Sequence, residues 1–404
     1  MNRSEERVLT THVGSLVRPR PIRQALRDAQ LGRPFDAAGY ERTLKESVGD
    51  VVHQQVETGI DIPSDGEYGK THWTGYIRQR LGGIDLDTTQ ARTISTSRSR
   101  SLDGERFPDF YEAYEPIVRY DWDPLPDTGL GHEMSDLGHV ANNFVGEVTY
   151  TGKAAVERDV ENFRQALQGT GRVDAFMPSA SPMAIAGLQT NPHYKSTEEF
   201  IFAIATAMRE EYTTIIEGGL LLQIDDAFLP QIFDLMRDRP RDEIVKYCEM
   251  CIEALNFALR DIPEDRVRFH ACWGSWNGPH SADTPLSDIA GLILSVQAQG
   301  YAIEASNPRH EHEWQVWKDV RLPGGKILIP GCISHQTNVV EHPQLVELRI
   351  KNFASVVGVE NLIAGSDCGF CQGYNEVRVH PSIQWAKLRS LVEGAELASA
   401  ALLR

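Results

Sequence analysis

The sequence predicts an α/β protein in which eight parallel strands close into a (β/α)8 TIM barrel. Short apolar runs alternate with longer amphipathic stretches about eight times along the chain, and no internal repeat or low-complexity linker divides it. The chain has 404 residues, and 41% of them are hydrophobic, enough for one large core. The alternative is a doubly wound open sheet, which is disfavoured because no G-x-G-x-x-G turn follows the first strand. We therefore expect a single barrel domain over residues 1–404.

The individual elements follow from the alternation of apolar patterns. The expected strands are 8–15, 59–67, 172–180, 220–229, 267–274, 300–306, 326–334 and 361–370. Helical patterns separate them, for example at 39–59, 196–219 and 241–259. Residues 71–150 interrupt the alternation, because this segment is too long for an ordinary strand-to-helix loop. We expect it to be an inserted lid on the functional face, with a peripheral subdomain or an oligomer contact as the alternative.

The charge of the chain limits its partners. Lys and Arg total 40 and Asp and Glu total 57, so the formal net charge is −17. Such a surface repels phosphate backbones and anionic lipids, and we expect neither nucleic acid nor membrane as a partner. No apolar run approaches the ~20 residues that span a bilayer, and the first residues contain no apolar signal region. These observations predict a cytoplasmic protein, and a homo-oligomer is compatible with them.

Four side chains at the ends of late strands predict a metal site. His270 and Cys272 are two residues apart and therefore lie on one face of their strand. The next strand ends in Glu304 and the last one leads into Cys368. The carboxyl ends of barrel strands carry functional residues, and a buried unpaired carboxylate such as Glu304 would be costly. One imidazole, two thiolates and a carboxylate favour Zn²⁺ over Mg²⁺ or Ca²⁺.

Other cysteines and histidines are weaker ligand candidates. Cys248 and Cys251 have helical spacing inside an amphipathic pattern and are expected in the core. The C-x-x-C spacing that ends in Cys371 lies too far from that pair for a zinc ribbon. His310 and His312 form a rival H-x-H pair beyond a strand end, where they could face the substrate or support the site.

The order H-x-C, Glu and then Cys in "DCG" resembles the zinc site of the cobalamin-independent methionine synthase family, in its catalytic C-terminal barrel. The resemblance covers most of the chain and implies a barrel of the methionine synthase and uroporphyrinogen decarboxylase type. It implies a zinc ligand set of His270, Cys272, Glu304 and Cys368. In "TTHVGS", "DGE" and "LQIDD" it implies binding of the substrate thiol and its amino group by Gly14, Ser15, Glu67 and Asp225. In "CISHQTN" it implies a catalytic histidine, His335.

The stretches "PSASPMAIAGLQTNPHY", "EASNPRHEHEW" and "IAGSDCGF" look closer to the short, single-barrel branch, which includes epoxyalkane:coenzyme M transferases. The implied reaction joins a zinc-activated thiol, homocysteine or a similar small molecule, to a methyl or alkyl donor, and His335 protonates the leaving group. Trp273 and Trp276 either wall the substrate pocket or belong to the core. The alternatives are epoxide opening by a thiol, a metal-independent decarboxylase or hydrolase on the same barrel, and a non-catalytic zinc- or thiol-binding protein.

Overall fold

The computed structural model describes residues 1–30, 33–85, 101–114 and 143–403. Its strands are β1 Leu9–Thr10, β2 Ile84–Asp85, β3 Asn143–Phe144, β4 Phe176–Ala180, β5 Leu221–Asp225, β6 Val267–Ala271, β7 Gly300–Ile303, β8 Ile327–Ile333 and β9 Ile363–Ser366. Its α-helices are Arg20–Gln30, Ala37–Thr58, Leu102–Arg106, Pro108–Tyr114, Lys153–Leu167, Pro182–Ala186, Thr197–Glu217, Phe228–Leu235, Arg241–Leu259, Leu286–Leu294, Pro343–Val357 and Pro381–Leu402. In the described ranges, no helix combines the length and apolar character needed to cross a membrane.

Seven parallel strands and one bridging segment form a closed ring. The strand order is β1-β9-β8-β7-β6-β5-β4, with every pairing parallel. Residues 62–64 fill the gap between β1 and β4, because Thr11 pairs with Ile62 and Ser64 pairs with Phe176, both in parallel. This closure, together with helices between the strands, confirms the predicted (β/α)8 barrel and excludes the open sheet.

Burial explains why the strands read as continuous apolar runs. Strands β4 to β9 are buried at every position, since the helices cover the outside and side chains fill the inside. The helix Thr197–Glu217 is typical of the outer layer. Its N-cap Ser196 accepts a hydrogen bond from the Glu199 N–H at 3.1 Å. Cys248 and Cys251 are buried in the core on the helix Arg241–Leu259, as predicted.

A buried arginine fills the barrel interior. Arg268 points inward from β6 and donates to the Thr11 hydroxyl at 3.0 Å and to the His12 carbonyl at 2.8 Å. Its guanidinium lies 4.0 Å from the centroid of the Phe176 ring. Since the interior is packed, a substrate reaches the barrel only at its end faces.

Parts of the expected insertion reach the face formed by the carboxyl ends of the strands. β2 and β3 pair in an antiparallel manner at its base. Near its middle, the Leu102 N–H donates to Asp234 at 3.0 Å, and the Ser281 N–H donates to Asp103 at 3.1 Å. Residues 86–100 and 115–142 lie outside the described ranges, so the division into a barrel and a lid over 71–150 stays a prediction.

Candidate metal centre and substrate cavity

Three of the four predicted ligands converge on one point. His270 lies on β6, Cys272 follows that strand directly, and Cys368 follows β9. One donor atom from each residue lies within 4.8 Å of the others, and all three side chains are buried. The two Sγ atoms are 3.6 Å apart. An imidazole and two thiols at this spacing suit a soft divalent cation.

The neighbouring strand orients the imidazole. Asp225 on β5 pairs in register with His270, and its Oδ1 lies 2.9 Å from His270 Nδ1. The other nitrogen, Nε2, is buried and has no hydrogen-bond partner of ordinary geometry in the described ranges. Burial disfavours the imidazolium, but the side chains of Asp225 and Cys368 prevail and raise the pKa of His270 to about 10. A carboxylate behind an imidazole is the arrangement that fixes which nitrogen faces a metal.

The two thiols are not equivalent. A hydrogen bond from Cys272 holds the pKa of Cys368 well below its usual value, and the same contact, with burial, raises the pKa of Cys272 well above its own. Ser275 Oγ also donates to Cys368 Sγ at 3.4 Å. The site therefore favours one thiolate by itself, and a second thiolate requires a further positive charge.

Glu304 lies beside this group but is not one of its three members. The carboxylate is 1% exposed, with Oε2 accepting from the Trp273 N–H and Oε1 from Asn307 Nδ2, both at 2.9 Å. Burial, reinforced by Asp367, raises its pKa to about 7. The hydrogen bond from Trp273 ties Glu304 to the loop 272–276 that follows β6, the ligand loop. The four-ligand set stays a prediction.

The three donors line a cavity of about 730 Å³. This volume suits a small-molecule substrate pair. The predicted substrate residues that also line it are Ser15, Glu67, Asp225, Trp273 and Trp276. Three other predicted residues lie outside the described lining, namely Gly14, Glu304 and His335.

Glu67 adopts an unusual backbone conformation beside the cavity. Its φ is 58°, in the left-handed region that non-glycine residues rarely occupy. Within the described residues its Oε2 has no hydrogen-bond partner, and burial raises its pKa to about 7. Gly14 packs against it with φ 127°, and a Cβ at that position would lie 2.5 Å from Pro178 Cγ and 3.0 Å from Glu67 Oε1. Only glycine permits this approach.

His335 is a neutral buried imidazole near the donor group. It follows β8, is 3% exposed, and neither ring nitrogen has a hydrogen-bond partner in the part of the chain that is described. Burial lowers its pKa to about 4. A neutral imidazole carries one N–H donor and one acceptor nitrogen, so it can hydrogen-bond in both directions, and its low pKa means that it gives up a bound proton readily.

The rival H-x-H pair does not join the donor group. His312 is exposed. His310 is buried, and its ring nitrogens meet Asp283 at 2.9 Å and Glu313 at 2.8 Å. The sequence reasoning missed Asp283, which lines the cavity. The only signal for it was the concentration of polar residues in "NGPHSAD".

No protein-family model matches the chain. The chain is 22% identical over 400 residues to a methionine synthase of Thermococcus kodakarensis, covering 98% of this chain and 94% of that protein. It is 23% identical over 410 residues to the 2-hydroxypropyl-CoM lyase of Xanthobacter autotrophicus, covering 93% and 92%. Among solved structures, a B12-independent methionine synthase from Shewanella sp. W3-18-1 superposes with a TM-score of 0.71 at 18% identity, covering 98% and 99%.

These alignments cover nearly the whole length of the relatives and of the chain. The Shewanella structure supports the fold, and the two sequence relatives connect the chain with proteins named for methionine synthesis and for a coenzyme M adduct. The chain is thus a homologue, of single-barrel length, of the cobalamin-independent methionine synthases and of 2-hydroxypropyl-CoM lyase.

Proposed function

We propose that the protein is a zinc-dependent thiol S-alkyltransferase, which transfers a methyl or alkyl group to homocysteine or a similar small thiol. The observation that carries the proposal is the group of one imidazole and two thiols at the wall of a substrate-sized cavity. The names of the two sequence relatives are consistent with it.

The residues present fit Zn²⁺. His270 has one nitrogen fixed by Asp225, and the other has no hydrogen bond of ordinary geometry in the described ranges. The thiols of Cys272 and Cys368 adjoin it. Glu304 is the proposed fourth ligand, and its hydrogen bonds to main-chain and amide N–H groups keep that carboxylate satisfied when it is not bound. When bound, Zn²⁺ would lower the pKa of a substrate thiol so that the thiolate forms at neutral pH.

Acidic side chains favour a thiol that carries an amino group. Glu67 and Asp225 both line the cavity, and Glu67 Oε2 has no hydrogen-bond partner in the described ranges. A cationic amine would satisfy this oxygen, whereas the sulfonate of coenzyme M would be repelled by it. Ser15 also lines the cavity and offers a hydroxyl. These contacts support an amino-acid thiol such as homocysteine.

His335 moves the proton in the proposed reaction. One of its ring nitrogens accepts the thiol proton, the sulfur attacks the alkyl carbon, and the bond from that carbon to the leaving group breaks. The same nitrogen then delivers the proton to the leaving group, so a thiol and an alkyl donor yield a thioether and a protonated leaving group. Trp273 and Trp276 wall the cavity and exclude water from the nucleophile.

A second candidate is the opening of an epoxide by the thiol. The 2-hydroxypropyl-CoM lyase relative, which matches 93% of this chain, favours it. Here sulfur attacks an epoxide carbon, the ring C–O bond breaks, and His335 gives its proton to the oxygen.

Residues 101–106 would cover the cavity in either case, because Ser101 and Asp103 belong to its lining. The cytoplasmic location and the absence of nucleic-acid or membrane partners belong to the same proposal.

The test begins with metal content. We expect about one zinc per chain in the wild type and none in Cys368→Ala. Cys371→Ala is the matched control, because Cys371 is also buried but donates to the Gly373 carbonyl at 3.2 Å and lies outside the donor group. A metal-free wild type would refute the proposal and favour the decarboxylase or hydrolase alternative. Metal retained in Cys368→Ala would show that the ligand set is wrong.

The second part identifies the thiol. The zinc is replaced with Co²⁺, and homocysteine, coenzyme M and glutathione are titrated while the sulfur-to-cobalt absorption is recorded. We expect homocysteine to change the spectrum at the lowest concentration. A stronger response to coenzyme M would favour the epoxide reaction, and no response to any thiol would favour a non-catalytic zinc protein.

A further inference from the structure

Two tryptophans in the loop after Cys272 are each stacked on a buried histidine. The Trp273 indole lies 4.0 Å from the His310 ring between centroids, and the Trp276 indole lies 3.9 Å from His280. Both pairs are tilted by only 23°. Because Trp273 and Trp276 line the cavity, these stacks back one of its walls.

A single carboxylate joins the two stacks. Asp283 Oδ2 lies 2.6 Å from His280 Nδ1 and 2.9 Å from His310 Nε2. The remaining ring nitrogens meet the Trp276 carbonyl at 3.0 Å and Glu313 Oε2 at 2.8 Å. All four nitrogens thus lie within hydrogen-bond distance of an oxygen, an arrangement that favours rings with two N–H groups and a positive charge.

The charge of the rings strengthens the stacks. A cation on the face of an indole is attracted by the electron density of the ring, and more strongly so when water is excluded. Burial opposes the charge on His310, but its hydrogen bonds to Asp283 and Glu313 prevail and raise its pKa to about 9. Asp283 therefore bonds both of the rings that stack on the two cavity-lining indoles.

The ligand loop is connected to this array through its backbone. The Trp273 N–H donates to Glu304 Oε2, and Trp273 directly follows Cys272 in the chain. His280 itself has a φ of 52°, a strained conformation that surrounding contacts must maintain. A shift of the Trp273 indole would therefore displace the Trp273 backbone, which is joined to Cys272 by the chain and to Glu304 by a hydrogen bond.

We propose that Asp283 is a positioning residue, which fixes the tryptophan wall of the cavity and, through Trp273, the place of Cys272 in the metal site. The zinc part of this inference rests on the proposed function, and the wall part does not. Partners that orient metal ligands typically contribute 10- to 100-fold to metal affinity, as an order of magnitude.

The test compares Asp283→Ala, Asp283→Asn and the control Asp288→Asn. Asp288 lies on the next helix and pairs at the surface with Arg241. Tryptophan emission is quenched with acrylamide in the metal-free protein, and zinc affinity is measured by competition with a chelator. We expect Asp283→Ala to raise the quenchable fraction and to weaken zinc binding by about 10- to 100-fold. Asp283→Asn keeps an acceptor oxygen and should recover part of both properties, and Asp288→Asn should match the wild type.

The inference is overturned if Asp283→Ala and Asp288→Asn agree within twofold in both measurements. If Asp283→Ala does not fold, His310→Gln replaces it, because that change removes the ring that joins Trp273 to Asp283 and should produce both effects. A wild type without zinc affinity would refute the proposed function only. The quenching comparison in metal-free protein then decides the role of Asp283.

Discussion

Asp225 gives the sharpest test of the proposed metal centre, because its effect on zinc affinity can be separated from its effect on folding. Its carboxylate is 2.9 Å from His270 Nδ1, and the side chain is only 10% exposed. A hydrogen bond to a charged group contributes roughly 1.5–3 kcal/mol, about twice a neutral one. Asp225→Ala should therefore cost about 2 kcal/mol of zinc binding, or roughly 30-fold in affinity. Asp225→Asn, which keeps an oxygen, should cost about 1 kcal/mol, or roughly fivefold.

The assay is chelator competition for zinc at pH 7, with urea unfolding of the metal-free proteins alongside. Asp226→Ala is the matched control, since the adjacent carboxylate is equally buried but accepts from Ser181 Oγ at 2.7 Å and from the Phe228 and Leu229 N–H groups at 3.0 Å. It should lower stability and leave zinc affinity within twofold. Equal zinc affinity in Asp225→Ala and wild type would refute the reasoning, as would an equal loss in Asp226→Ala.

Two further changes test the barrel and the thiol pocket. The Glu211 carboxylate accepts a hydrogen bond from Arg80 at 2.9 Å in the interior. Burial alone would raise its pKa, but Arg80, Lys70 and the hydroxyls of Tyr76 and Ser179 together prevail and lower it from 4.5 to about 2. This contribution, about 3 kcal/mol, should be present above pH 4.5 and lost as the pH falls towards 2, so Glu211→Gln should destabilise strongly at pH 7 but little at pH 2. Urea unfolding at both pH values measures the loss of unfolding free energy. An equal loss at pH 7 and pH 2 would contradict the prediction, and so would a similar loss in Glu210→Gln, an exposed control. Gly14→Ala places a methyl 2.5 Å from Pro178 Cγ, so it should raise the KM for the thiol at least tenfold with zinc content unchanged, and an unaltered KM would contradict this.

The sequence predicts the barrel well, because hydrophobic periodicity records burial on both faces of each strand. The second expected strand, 59–67, shows where this prediction fails. Residues 59–67 were expected to be extended, but only Ile62 and Ser64 form bridges. Pro63 has no N–H to donate, and the chain turns at Gly66 and Glu67, both with positive φ. Apolar content alone does not reveal that loss of pairing.

The site shows a similar division between local and long-range information. The two-residue period placed His270 and Cys272 on one face, and the structure brings Cys368 to them. The contact between Asp225 and His270 depends on the register of two strands, which a single sequence does not specify. The same holds for Asp283, whose partners come from a separate loop and meet it only through tertiary packing.

The closure of the ring has a consequence for how the protein is made. Leu9 on β1 pairs with Ile363 on β9, and Cys272 is 96 positions away from the thiol it contacts. Such pairings give the fold a high contact order, and during ribosomal synthesis they form only after most of the chain has emerged. Until then one edge of β1 is unpaired, and Cys272 lacks the Cys368 thiol that it contacts in the folded protein. In the proposed function, metal binding therefore comes late in biogenesis, after the last strand has joined the ring.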